Sequence, residues 1–173
     1  MDGSVEMTCC FTGHRPGDGG IRYVAGEEAY EALLDVLDRA ILEVYEQGVR
    51  NYLCGMASGF DLVAAKRVLA LRRTERLGSD AHLIAVQPFP DHICTIKGGR
   101  WQRDYDEVLQ CADDVCVVSA AYDKDAYKAR NAFMVDRSSW VIAFWKGNQR
   151  SGTGQTVRMA MKKERTVVNL YGL

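Results

Sequence analysis

An imidazole, a guanidinium and a glycine turn meet in the phrase Phe11-Thr12-Gly13-His14-Arg15-Pro16, directly after the apolar run Met7-Thr8-Cys9-Cys10. A strand ending in a tight glycine turn gathers these groups with backbone N–H donors at the carboxyl edge of a sheet, where open α/β folds bind ligands. The planar donor fork of Arg15 matches phosphate oxygens, and His14 suits either a ligand contact or acid–base work. A plain surface turn explains the same residues with no ligand at all. The pattern recurs twice. Tyr52-Leu53-Cys54 runs into Gly55-Met56-Ala57-Ser58-Gly59-Phe60-Asp61, and Val141-Ile142-Ala143-Phe144-Trp145 leads to Ser151-Gly152-Thr153-Gly154-Gln155-Thr156.

Glycines alone signal only turn geometry. The last loop adds three hydroxyls, carries no carboxylate and opens a helix, which suits a phosphate at a helix N-terminus. Three such edges in one chain point to one nucleotide-like ligand. Neither the GxGxxG fingerprint nor a Walker A lysine is present.

Other polar groups sit where helices are expected. Trp101 and Tyr105 share a helix face, either covering a base or ribose or packing on the sheet. Arg130 and Asn131, with Tyr127 and Asp136, form a polar cluster that points to a ligand or a subunit contact. Asp61, Asp104, Asp136 and His14 are the candidates for any catalytic role. No metal site is expected, because His14, His82 and His92 have no Cys or His at ligand spacing.

The elements that must position these residues alternate. Strand patterns fall at residues 6–11, 52–54, 82–87, 115–119, 140–145 and 166–170, and helical periodicities at 27–47, 60–73, 99–111, 127–137 and 153–163. Strands separated by helices need crossovers, so the reading is a Rossmann-like three-layer α/β sandwich with a mostly parallel central sheet. Gly48 is the expected helix stop, and residues 88–99 an ordered or gated loop over the sheet edge.

The 173 residues fit one domain, 1–173, with enough chain to bury a core. No apolar stretch reaches the roughly 20 residues of a membrane span, and the first residues lack a signal-peptide pattern, so a cytoplasmic protein without membrane contact is expected. The six cysteines show no CxxC pair and read as small buried hydrophobes. Near-neutral total charge hides an asymmetry: residues 1–50 carry 10 acidic against 4 basic side chains, and residues 120–173 carry 4 acidic against 10 basic.

Taken in order, FTGHRP at 11–16, GMASGFD at 55–61, QPFP at 87–90, the Trp101 and Tyr105 pair, RNAFMVD at 130–136 and SGTGQT at 151–156 resemble the SLOG superfamily, named for the Smf/DprA and Lonely Guy proteins, in its YpsA-like branch. The resemblance implies glycine loops that pocket nucleotides or their derivatives, in sensors or binders of stress, cell division and phage conflict. Carried over by position, the pocket includes Gly13, His14, Arg15, Gly55, Ser58, Asp61, Gly152, Thr153, Gly154 and Thr156. Lonely Guy hydrolases place a catalytic Glu shortly after their GT loop. Here the first acid after Thr153 is Glu164, about 16 Å along a helix at 1.5 Å per residue, so that hydrolytic mechanism is not expected.

The reading is a binder or sensor of a nucleotide-derived small molecule such as ADP-ribose, with no further cofactor. The alternatives are an N-glycosidase or phosphoribohydrolase and, disfavoured by near-neutral charge, a single-stranded DNA binder. The opposed charges of the two ends suit a homo-oligomer, most simply a dimer. Light scattering at micromolar concentration and low salt is expected to give twice the monomer mass; the monomer mass would refute the dimer.

Overall fold

A computed structural model describes residues 5–18 and 21–173. Its strands are β1 (Thr8–Gly13), β2 (Asn51–Cys54), β3 (His82–Gln87), β4 (Asp114–Val117), β5 (Trp140–Phe144) and β6 (Thr166–Asn169). Between them lie α1 (Glu28–Glu46), α2 (Phe60–Arg73), α3 (Gly99–Cys111), α4 (Ala126–Asp136) and α5 (Gly152–Lys162). β1 runs further into the glycine turn than its apolar pattern suggests: Thr12 and Gly13 still pair with Ala143 and Phe144.

All six strands are parallel, in the order β4-β3-β2-β1-β5-β6. Side chains alternate between faces along each strand. Phe11, Tyr52, Cys54, Leu83, Ile142 and Phe144 join the core beneath α1, α2 and α3. Cys10, Leu53, Ile84, Val86 and Val141 pack with Met134 and Val135 of α4 and Ala160 of α5. Burial on both faces is why these strands read as continuous apolar runs rather than alternating ones.

α1 stops as its sequence predicts. Gly48 takes φ 98°, donates its N–H to the Tyr45 carbonyl at 3.0 Å, and lets the Val49 N–H reach the Val44 carbonyl at 3.0 Å. Residues 88–99 are ordered around a short 3-10 turn, His92–Thr95, with Phe89 and His92 buried. Cys9, Cys10 and Cys54 are buried, and burial pushes the Cys10 thiol up to about 12. Cys94 and Cys111 depart from the buried reading: both are exposed, Cys94 in that turn and Cys111 at the end of α3. Among the described residues no helix is long and apolar enough to cross a membrane.

The strand order reverses beside β1. The crossovers through α1, α2 and α3 step outward on one side to β2, β3 and β4, and the chain then returns to place β5 and β6 on the other side. The loops after β1 and β5 therefore leave in opposite directions and open a crevice, the position where such sheets bind ligands.

Gly13 has a packing duty at this point. A Cβ there would overlap the Phe60 ring at the start of α2. Gly13→Ala is expected to destabilise the fold by about 1–3 kcal/mol through overpacking, measured by urea denaturation.

Candidate ligand cleft

The crevice holds a cleft of about 150 Å³ lined by Gly13, His14, Arg15, Asp18, Ala57, Asp61, Tyr127, Arg130, Asn131, Ser151, Gly152 and Thr153, with Phe11 and Thr12 at its base. Residues from four separate loops and helices meet there because parallel strands deliver their carboxyl ends to one side.

His14 fastens the frame. Its carbonyl accepts from the Tyr23 hydroxyl at 2.7 Å and from the Phe60 N–H at 3.2 Å, tying β1 to the start of α2. Its Nε2 accepts from the Lys146 N–H at 2.9 Å, tying β1 to the exit of β5. Accepting at Nε2 requires the proton to sit on Nδ1, and burial holds the pKa below the usual value, so the ring is neutral. Gly59, at φ 91°, completes the junction, since a Cβ there would stand 2.6 Å from the His14 carbonyl oxygen.

Asp61 and Arg130 are the buried charged pair of the cleft. Gly55 lies between them: a Cβ on it would stand 2.5 Å from Arg130 Nη1 and 2.7 Å from Asp61 Oδ2. Burial raises the Asp61 pKa from 3.8 to about 6, against the opposing pull of Arg130, the Ala57 N–H and Arg15. Arg130 is only 4% exposed. Its Nε donates to Asn131 Oδ1 at 2.8 Å, while Nη1 is buried with no hydrogen-bond partner.

The N-terminus of α5 faces the same space. Ser151 Oγ accepts the Gly154 N–H at 3.0 Å as its cap. The N–H groups of Gly152 and Thr153 have no acceptor among the described residues. Two donors and the helix dipole are thus aimed at the cleft. Arg15 is exposed at the rim, its guanidinium 5.6 Å from the Tyr127 ring centroid.

Other residues singled out in the sequence lie elsewhere. Ser58 is half-buried outside the lining. Gly154 packs against Asn148 and Gln149, and buried Thr156 donates its hydroxyl to the Gly152 carbonyl at 3.0 Å. Tyr105 is fully buried, its hydroxyl accepting from Gln87 Nε2 at 2.7 Å, and Trp101 packs edge-on to Tyr23. Asp104 is paired with Lys66 at 2.7 Å between α2 and α3, and Asp136 with Lys163 at the far end of α4. Asp61 is thus the one proposed carboxylate that reaches the cleft. Asp18, which also lines it, sits in a glycine-rich loop with no periodic pattern to mark it.

A larger hollow of about 540 Å³ lies between α2 and α3, lined by Leu69, Leu77, Cys111, Arg72 and Glu107. Of its charged groups Arg72 is engaged with Asp113 and Glu107 with Lys66, while Arg73 and Glu75 complete the lining. Among the described residues no group of His, Cys, Asp and Glu could hold a metal ion.

The sequence matches the model of the YspA SLOG family (YpsA) over residues 9–171. The chain belongs to this YpsA SLOG family. Its fold is similar to DNA processing protein A (DprA) from Streptococcus pneumoniae, with TM-score 0.58, 18% identity, and 92% of this chain and 48% of that one covered. It is also similar to DNA processing protein A from Helicobacter pylori, described for its single-stranded DNA binding mode, with TM-score 0.60, 17% identity, and 94% and 64% covered. The chain thus spans about half to two thirds of the length of these two proteins. No curated protein matches the sequence.

In this YpsA SLOG member Glu164 lies beyond α5, exposed and at the opposite end of the helix from the cleft. The buried carboxylate of the cleft is Asp61, and burial raises its pKa to about 6. Between about pH 4 and pH 6 the folded protein holds a proton on Asp61 that the unfolded chain has lost, so its contribution to stability falls as pH rises through this window. Asp61→Asn keeps the shape without the charge. The variant is expected to exceed the native protein by about 2–3 kcal/mol at pH 8, with the gap closing below about pH 4, in urea titrations across that range.

Proposed function

We propose that the protein binds a phosphorylated, nucleotide-type ligand, with a phosphoryl group in the cleft between the N-terminus of α5, Arg130 and Arg15. The observation that carries this reading is Arg130 Nη1, a buried cationic donor with no partner. Leaving such a donor unpaired is unfavourable, and an anion seated among Arg130 and the free Gly152 and Thr153 N–H groups would satisfy it. Arg15 at the rim completes the clamp from the solvent side.

Binding without rapid turnover fits the same geometry. Glu164 is remote, and the His14 imidazole already has its acceptor nitrogen engaged. A second reading, an N-glycosidase, has one observation in its favour: Asp61 lines the cleft with a pKa of about 6, suited to acid–base work near neutrality. The single-stranded DNA binding described for the Helicobacter pylori protein is a third. The formal charge of −1 gives it no electrostatic support.

Calorimetry with AMP, ribose 5-phosphate and ADP-ribose tests the proposal, with chromatography of the incubated ligands to detect free base. Arg15→Ala is expected to weaken the ligand by about 1.5–3 kcal/mol and leave the melting temperature nearly unchanged. Unaltered affinity would return Arg15 to the surface. Release of base that Asp61→Asn abolishes would promote the glycosidase. Tighter binding to an oligothymidylate than to AMP, lost steeply with salt, would promote DNA.

A further inference from the structure

The cleft is too small for a whole nucleotide. Sites that enclose small ligands run to about 300–1,000 Å³, whereas this one holds about 150 Å³. If the phosphoryl group sits at Arg130, the rest of the ligand must lie across the rim, and the rim is not uniform.

On the side facing α4 a row of aromatic rings leads outward. Tyr127 lines the cleft, with the Arg15 guanidinium over its ring. The Phe89 ring meets it edge-on at 5.8 Å, and Tyr122 meets Phe89 edge-on at 5.3 Å. Phe89 is 4% exposed and Tyr122 is 66% exposed. Phe89 is therefore enclosed and Tyr127 half-buried, and the outermost ring presents its surface to solvent. His92 packs edge-on to both Phe89 and Tyr127, and burial with nearby Arg130 and Arg15 keeps it neutral.

The loop carrying Tyr122 is anchored. It leaves β4 at the same edge of the sheet as the other cleft loops, and its first residues are tied to the β3 loop. The Val118 N–H donates to the Gln87 carbonyl and the Ser119 N–H to the Pro88 carbonyl, each at 3.0 Å. At its other end the Asp123 carboxylate accepts the Asp125 N–H at 2.7 Å, turning the chain into α4. An exposed ring at the end of a supported aromatic row, beside a polar cleft, is a surface on which another flat ring can stack.

Building on the phosphate reading above, we propose that the ligand's aromatic base seats outside the cavity on Tyr122, while its phosphoryl group occupies the cleft. Tyr122 is then the residue that distinguishes a nucleotide from a bare sugar phosphate. Stacking of this kind tolerates different bases, because every base presents a π face.

The test is calorimetry on the full chain with AMP and ribose 5-phosphate, comparing the native protein with Tyr122→Ala and Tyr122→Phe. AMP is expected to bind the native protein more tightly than ribose 5-phosphate. Tyr122→Ala should weaken AMP about 10-fold, within the range of base–aromatic stacking, and leave ribose 5-phosphate unchanged. Tyr122→Phe should restore AMP binding. Equal loss for both probes, or no loss for AMP, overturns the seat. Ribose 5-phosphate binding as tightly as AMP overturns it too, while the phosphate reading stands. If neither probe binds the native protein, the phosphate reading falls and the seat falls with it.

Discussion

Three hydrogen bonds converge on His14, and they tie the loop after β1 to the start of α2 and to the chain leaving β5 at the sheet edge. The backbone carbonyl holds α2 and the Tyr23 hydroxyl, and the imidazole holds the chain leaving β5. The two loops that flank the strand-order reversal are thereby fixed against each other. Neutrality is part of the device, since a proton on Nε2 would replace the acceptor facing the Lys146 N–H with a second donor. The edge-on contact between His14 and Phe144 and the stacking of Phe144 on Phe60 continue the junction into the core.

Beyond this junction the cleft is built around an electrostatic imbalance. Asp61 and Arg130 are both removed from water, and the absent side chain of Gly55 allows them to flank one backbone turn. Each charge moderates the desolvation of the other without filling all its hydrogen-bonding capacity. The remaining capacity is mostly on the cationic side. Arg130 Nη1 and the first N–H groups of α5 all donate, which is a field suited to an anion.

Much of this arrangement could be read from residue order. Glycine and apolar patterns place the strands, the stop at Gly48 and the three loops at one edge, because parallel crossovers leave few other topologies. Arg130 and Asn131 stand out in the sequence because a polar pair on an inward-facing helix needs a reason. Side-chain roles were less legible. A histidine after a glycine turn looks like chemistry, yet the His14 imidazole bonds the backbone N–H of Lys146, distant in sequence. Trp101 and Tyr105 share a face as expected, but that face is turned to the core, where the Gln87 amide answers the tyrosine hydroxyl. Periodicity reports which residues share a side of a helix. It does not report which neighbour that side meets. Tyr122 and Asp18 lie in loops, where periodicity is silent.

The parallel ladder also sets an order of assembly. β1 pairs with β2, where Thr8 lies beside Asn51, and equally with β5, where Cys9 lies beside Trp140. During synthesis from the N-terminus, at about 5–20 residues per second, the first of these partners becomes available several seconds before the second. Until β5 emerges, one edge of β1 is unpaired, and α5, one of the two helices that pack with Cys10 and Leu53, has not been made. The cleft is incomplete throughout that interval, because α5 supplies the backbone donors at its mouth. A ribosome-bound chain halted before residue 140 would therefore present a sticky half-sheet with no ligand to steady it, a natural client for a chaperone.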